Sequence, residues 1–273
     1  MKNTYIKLVI SCLTLLIVSC TETVDVDVPN GGERLVVEAS ILWEKGTTGQ
    51  NQEIKLSKST EYFTDELDIP VEGAIVSITN NNSSEIFDFQ NEGNGIYSSN
   101  NFNPIIGDSY SLDINYEGEH YVATETFTSG IEISSITQSI ESRMGNDEIN
   151  IKVNYNDPES TKDFYLAEFI PSHKPLLSLV SSKDEFYNGN NFFMEYEEED
   201  LETGVQVEVK LHGISEDYYN YIEILISQLG EKGPFQTTPA ALKGNCVNIN
   251  NSEEEVLGYF RLSEVDIDSI TID

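Results

Sequence analysis

Basic residues are scarce in this sequence: 15 Lys and Arg stand against 48 Asp and Glu in 273 residues, a formal charge of −33. Binding to a phosphate backbone runs on counterion release by clustered bases, so nucleic acid is excluded as a partner. A polybasic grip on anionic lipid is excluded for the same reason. Cysteine is nearly absent. Of the three, Cys12 lies inside the N-terminal apolar run and Cys20 at its end, which leaves Cys246 without a partner for an internal disulfide in a mature chain. His120, His173 and His212 sit in separate segments with no H-x-x-x-H or H-E-x-x-H spacing, so a zinc centre on the usual ligands is not expected. Neither a G-x-S-x-G elbow nor a P-loop occurs.

What the chain does have is apolar area. Hydrophobic residues make up 38%, with 14 Tyr and 12 Phe, more than an acidic disordered chain carries. A chain of this length buries roughly three quarters of its unfolded surface, which suits one large or two modest domains. The N-terminus reads as an address. Lys2 and Lys7 precede an apolar run from Leu8 to Val18, far short of the roughly 20 residues of a spanning helix. The run ends in Ile17-Val18-Ser19-Cys20, which resembles the lipobox of bacterial lipoproteins, cut before a Cys that then carries acyl chains. An ordinary signal peptide cut nearby is the alternative, although no A-x-A site closes the run. Each buried methylene contributes about 0.8 kcal/mol and stable anchoring takes more than one chain, so acylated Cys20 implies a permanent tether. Thr21 at the next position, in place of Asp, favours the outer membrane, on its periplasmic or cell-surface face; Glu22, Asp25 and Asp27 are compatible with an acidic surface-export signal, and Asp25 and Asp27 with a hydrated spacer.

Beyond that tether, residues 20–33, the pattern is that of strands. Arg34 to Ile41 and Gln52 to Ser57 are rich in Val, Ile and Leu; Ala74, Val76 and Ile78 alternate; Ile86 to Phe89 and Ile96-Tyr97 follow turns. Tyr110, Leu112, Ile114 and Tyr116 alternate up to Glu117-Gly118, which reverses the chain into Tyr121 to Phe127. A two-residue turn sets Ile114 opposite Tyr121 and Leu112 opposite Ala123; a bulge at Gly118 shifts that by one. Residues 34–130 therefore predict a β-sandwich domain. Val71 to Ile78, Gly95 to Tyr97 and Gly107 to Leu112 resemble the transthyretin-like or carboxypeptidase-regulatory type of sandwich.

Residues 131–273 predict a second β-rich domain, with strands at 131–140, 148–155, 164–170, 192–196, 205–211 and 256–262 and irregular stretches at 171–191 and 230–250. One segment has helical period: apolar residues at 218, 221, 222, 225, 226 and 229, with Ser215 as N-cap and Gly230 as stop, predict a helix over 216–229.

Several pieces together resemble one family. Cys20-Thr-Glu, Arg34-Leu-Val-Val-Glu38 and Ile54-Lys-Leu-Ser57 are followed by Tyr218-Tyr219, Gly233-Pro-Phe235, Lys243-Gly-Asn245 and Leu257-Gly-Tyr-Phe260. This is similar to the Bacteroidota lipoprotein family called domain of unknown function 4249 (DUF4249). The resemblance implies an envelope lipoprotein encoded near TonB-dependent outer-membrane receptors and brings no catalytic residues.

The functional expectation is a lipid-anchored, non-enzymatic accessory or ligand-binding partner of a TonB-dependent receptor, with Cys20 as its lipidation site. A carboxylate-based envelope hydrolase and a structural or adhesive envelope protein are the alternatives. Phe186, Tyr187, Phe192, Phe193 and Tyr196, clustered around Asn188-Gly-Asn-Asn191, are candidate partner contacts together with Phe235; the alternatives are that alternating members fill a core and that Phe235 covers the helix. No cofactor is expected. The run Glu195, Glu197, Glu198, Glu199, Asp200 and Glu202 is the place where calcium would bind, against the reading of a solvated loop. Cys246 lacks a local His partner and reads as a buried, inert thiol.

Overall fold

Period-two alternation builds the first core. In the computed structural model Leu35–Glu44 (β1) buries Leu35, Val37, Ala39 and Ile41 and turns Glu38 and Ser40 outward, as a strand with one face on a core must. The structure describes residues 32–60, 68–143, 146–159, 161–185, 189–198, 201–229 and 242–273. All but Gly32 belong to the unit Glu33–Asp273. The signal segment, Cys20 and the tether up to residue 31 lie outside the described residues, as do Phe186, Tyr187 and Phe235.

Gln52–Lys58 (β2), Ile69–Pro70 (β3), Ile75–Asn80 (β4), Ile86–Gly93 (β5), Ile96–Ser99 (β6), Ser109–Tyr116 (β7) and Glu119–Thr126 (β8) complete the first sandwich. The β7–β8 register sets Ile114 opposite Tyr121 and Leu112 opposite Ala123. Glu117 and Gly118, at φ 52° and 88°, form the two-residue turn that this register needs, so no bulge intervenes. Strand β5 belongs to two sheets. Its first half pairs with β4, and from Gln90 on its second half pairs with β6, with a register shift between Asn91 and Gly93. The strand so folds one sheet over the other and closes one side around Ile54, Leu56, Ile78, Phe87, Leu112 and Ile114. Tyr97 is fully buried with its polar tip satisfied: its hydroxyl donates to Val71 O at 2.9 Å and accepts from Ala74 N at 3.0 Å.

The second sandwich uses Ile133–Arg143 (β9), Asn146–Asn156 (β10), Phe164–Pro171 (β11), Ser178–Lys183 (β12), Asn191–Glu197 (β13) and Gln206–Ile214 (β14). A three-stranded sheet in the order β13-β10-β9 packs its Ile151, Val153, Tyr155 and Met194 against Tyr165, Phe169, Val207 and Val209 of the other sheet. Helix α1, Glu216–Leu229, has the predicted bounds. Ser215 Oγ accepts from Tyr218 N at 3.2 Å, the cap that satisfies an orphan donor. Tyr218 and Ile222 pack on Phe164, Leu166, Ile214 and Tyr259. Among the described residues no helix is long and apolar enough to cross a membrane.

After Val247–Asn248 (β15), the last strand, Leu257–Thr271 (β16), joins the two sandwiches. Residues 257–265 pair in parallel with β1, and residues 265–271 pair antiparallel with β14. At about 3.3 Å per residue, one strand runs some 50 Å through both cores. The predicted strand stops at Leu262 because the acids Glu264, Asp266 and Asp268 interrupt its apolar pattern; the structure carries it on to Thr271, burying Glu264 beneath Gly130 and Lys45. The stretch 171–191, read from sequence as irregular, contains β12, whose mostly half-buried residues leave little periodic signal.

Candidate functional site

The most specific sequence blocks meet in space. Gly258 has φ +87°, and a Cβ there would lie 2.1 Å from Val37 O; a Cβ on Gly244 would lie 1.8 Å from Gly258 O. With both backbones able to approach, the Asn245 side chain serves as a pairing strand. Its Nδ2 donates to Phe260 O at 2.8 Å and its Oδ1 accepts from Phe260 N at 2.9 Å. Tyr259 then packs with its ring centroid 4.8 Å from those of Tyr218 and Tyr221 on α1. Neighbouring Cys246 is buried, and burial pushes its thiol up to about 12, which removes the thiolate that reactivity requires. These motifs are joints of the fold.

A charged cluster lies beside them. Arg261 donates from Nη2 to Glu168 Oε1 at 3.0 Å and from Nε to Ser40 Oγ at 2.9 Å, and its guanidinium stands 5.0 Å from the Tyr218 ring centroid. His212 is fully buried, with Nε2 3.2 Å from the same Glu168 oxygen. Burial alone would raise the Glu168 carboxyl, but the His212 ring and the Arg261 charge outweigh it and hold it near 2. Burial, reinforced by the Arg261 charge, pushes the His212 imidazole down. A ring with no exposed atom cannot meet a substrate, so the cluster ties β1, β16, β14 and β11 together.

The candidate contact residues fall on both strand faces, although the rings of Phe192 and Phe193 stay stacked with centroids 5.6 Å apart. Phe192 points inward, edge-on to Tyr155 with centroids 6.2 Å apart, and Tyr196 is buried, stacked on Phe169 at 5.0 Å. Phe193 faces out at 38% exposure, with Lys152 Nζ 4.8 Å above its ring. The acidic run separates in the same way. Glu195 pairs with Lys152 at 2.8 Å, Glu197 accepts from Asn150 at 2.8 Å, Glu198 pairs with Lys174, and Glu199 and Asp200 lie outside the described residues.

Carboxylates converge elsewhere. Asp157, Asp163 and Asp184 bring ligand atoms within 4.8 Å of one another. Asp157 accepts from the Tyr165 hydroxyl at 2.7 Å and Gly189 N at 2.9 Å, and Asp184 accepts from Asp163 N at 3.1 Å. Burial, with the charges of Asp157 and Asp184 nearby, pushes the Asp163 carboxyl up. Three such oxygens are part of the set a hard cation takes. The sequence gives no sign of the group, because Asp157 and Asp163 come from the β10–β11 connection and Asp184 from the segment after β12, with no motif spacing. An open groove of about 380 Å³ passes Asp184, lined also by Lys162, Lys183, Glu185 and Glu216. Its glutamates are neutralised, with Glu216 2.7 Å from Lys162 and Glu185 2.5 Å from Lys183. The Lys183 contact pulls the Glu185 carboxyl down, the opposite of what a general acid needs.

A family profile described as a domain of unknown function (DUF4249) matches residues 21–267. No curated protein matches the chain. Among solved structures, a two-domain fibronectin type III segment of chicken tenascin is similar at 11% identity and TM-score 0.22, covering 60% of this chain and 83% of that one. The FN1–FN3 domains of chicken CNTN1 give 10% and 0.25, covering 65% and 57%. A DUF4785 family protein of Legionella pneumophila gives 10% and 0.23, covering 65% and 50%.

Proposed function

The chain belongs to the domain of unknown function 4249 (DUF4249) family, and from that premise we propose that it is a lipid-anchored, non-enzymatic accessory protein of a TonB-dependent outer-membrane receptor. The lipobox-like Ile17-Val18-Ser19-Cys20 supports the anchor. The observation that carries the non-enzymatic reading is that the buried imidazole, guanidinium and thiol are spent on the fold. His212 and Arg261 lock four strands, the Cys246 thiol is buried, and the groove carboxylates Glu185 and Glu216 are paired with lysines. A body braced by one strand through both cores suits a rigid spacer that presents a surface to a partner. The same lysine pairs weigh against the carboxylate hydrolase, the alternative function.

Affinity capture from native membranes tests the reading, with the tagged wild type beside Cys20→Ala. The wild type should fractionate with the outer membrane and bring down a TonB-dependent receptor, and the variant should do neither. Unchanged fractionation of Cys20→Ala would defeat the anchor. Capture of polymer or matrix in place of a receptor would favour a structural or adhesive role.

A further inference from the structure

The open groove beside Asp184 lies where β11 begins, β12 ends and α1 starts. Strand register sets Phe164 opposite Lys183. The Ser215 cap then starts α1 so that Glu216, Tyr219 and Asn220, three and four residues apart, share the helix face that lines the groove. Tyr219 is half-buried with its ring centroid 5.1 Å from that of Phe164, and Lys162 Nζ stands 4.9 Å from the Phe164 centroid. At about 380 Å³ the groove falls in the roughly 300–1,000 Å³ range of small-ligand sites. Two of the chain's 15 bases meet here. A second groove, at β5 and β6, is lined by Ile86, acids, amides and hydroxyls, with neither an aromatic ring nor a base.

Each base in the groove already has its acid. Lys162 is 2.7 Å from Glu216 and Lys183 is 2.5 Å from Glu185, so a cation would have to displace a lysine from its partner. An anion would be repelled by a chain of charge −33. What the two pairs keep is hydrogen-bonding capacity. An ammonium has three N–H donors and a carboxylate about four acceptor sites, and each pair spends one of each. Asn220 adds an exposed amide that both donates and accepts. Neighbouring donors and acceptors beside an aromatic ring match a sugar, whose hydroxyls accept from ammonium and donate to carboxylate while its C–H face packs on the ring. We infer that this groove binds a neutral sugar, with Tyr219 as its platform and Lys162, Glu216, Lys183, Glu185 and Asn220 as its hydroxyl partners. The sugar stays intact, because the Lys183 contact keeps Glu185 ionised and Glu216 is held in its ion pair. In this the inference rests on the non-enzymatic reading and deepens it; it does not depend on the anchor.

Saturation-transfer NMR on the full mature chain, in a detergent without a sugar headgroup, tests this. The probes are maltose, cellobiose, lactose and mannobiose, with digalacturonate and the chitosan dimer as anionic and cationic controls. At least one neutral disaccharide should take up saturation through its ring C–H protons, at least fivefold more than either control. Asn220→Ala, at an exposed position, should cut that transfer at least threefold, and Tyr219→Ala at least fivefold with the circular dichroism spectrum retained. Asn100→Ala, in the second groove, should leave it unchanged. No transfer to any of the four sugars, equal transfer to a charged control, or transfer that survives both Asn220→Ala and Tyr219→Ala would overturn the inference. The two readings fail separately. Absent transfer with receptor capture intact removes the sugar site alone, and transfer followed by cleavage of the disaccharide keeps the site and removes the non-enzymatic reading.

Discussion

Arg261 and Glu168 are 93 residues apart in sequence and 3.0 Å apart in space, a buried ion pair between β16 and β11. Their side chains keep 8% and 13% of their exposure, so neither charge has water to fall back on. Removing one partner strands the other, a loss worth about 3–5 kcal/mol in buried pairs. Arg261→Met should lower the unfolding free energy by about that amount in urea titration. A cost under about 1 kcal/mol, the range of exposed pairs, would show that the cluster does not brace the sheet.

The same cluster sets a pH dependence. The unfolded His212 takes its proton near 6.5 and the folded ring only at lower pH, so acidification from about 6.5 downward favours the unfolded chain. The Glu168 carboxyl titrates near 2 in the fold against 4.5 otherwise, so its contribution is complete above 4.5 and is lost toward 2. Both act in one direction. The Tm of wild type should fall relative to that of His212→Phe as pH drops from 7 to 5. Parallel curves would contradict the neutral buried ring.

At Gly258 a side chain meets two penalties, a left-handed backbone and the Val37 carbonyl 2.1 Å from the new Cβ. Gly258→Ala should cost on the order of 3 kcal/mol, because the parallel β1–β16 pairing has to open. Gly107→Ala, at φ +85° with nothing within 4 Å of its Cβ, should cost only the conformational part, about 1–2 kcal/mol. Equal losses in thermal denaturation would mean that the contact with Val37 carries no weight.

Local periodicity made part of this fold legible. The α1 stripe needed only Tyr218, Ile222 and their neighbours at helical spacing, and the β7–β8 register needed only an alternating strand and Glu117-Gly118. Strand β16 was legible to Leu262 and no further, since the acids beyond it are held by Lys45, by Gly130 and by Ile133 N, contacts that local pattern does not encode. The buried cluster and the Asp157, Asp163 and Asp184 group were hidden for the same reason: topology, not spacing, brings their members together. The candidate aromatics show the reverse effect. They look like one patch in sequence, yet strand alternation sends Phe192 and Tyr196 inward and leaves Phe193 out.

The proposed role requires lipid on Cys20 to hold the protein to a membrane. Mass spectrometry of the N-terminal peptide of the protein isolated from its native cells tests that most directly. The isolated chain should begin at Cys20 and carry a diacylglyceryl thioether on its sulfur. A chain that begins elsewhere, or a Cys20 with a free thiol, would contradict it.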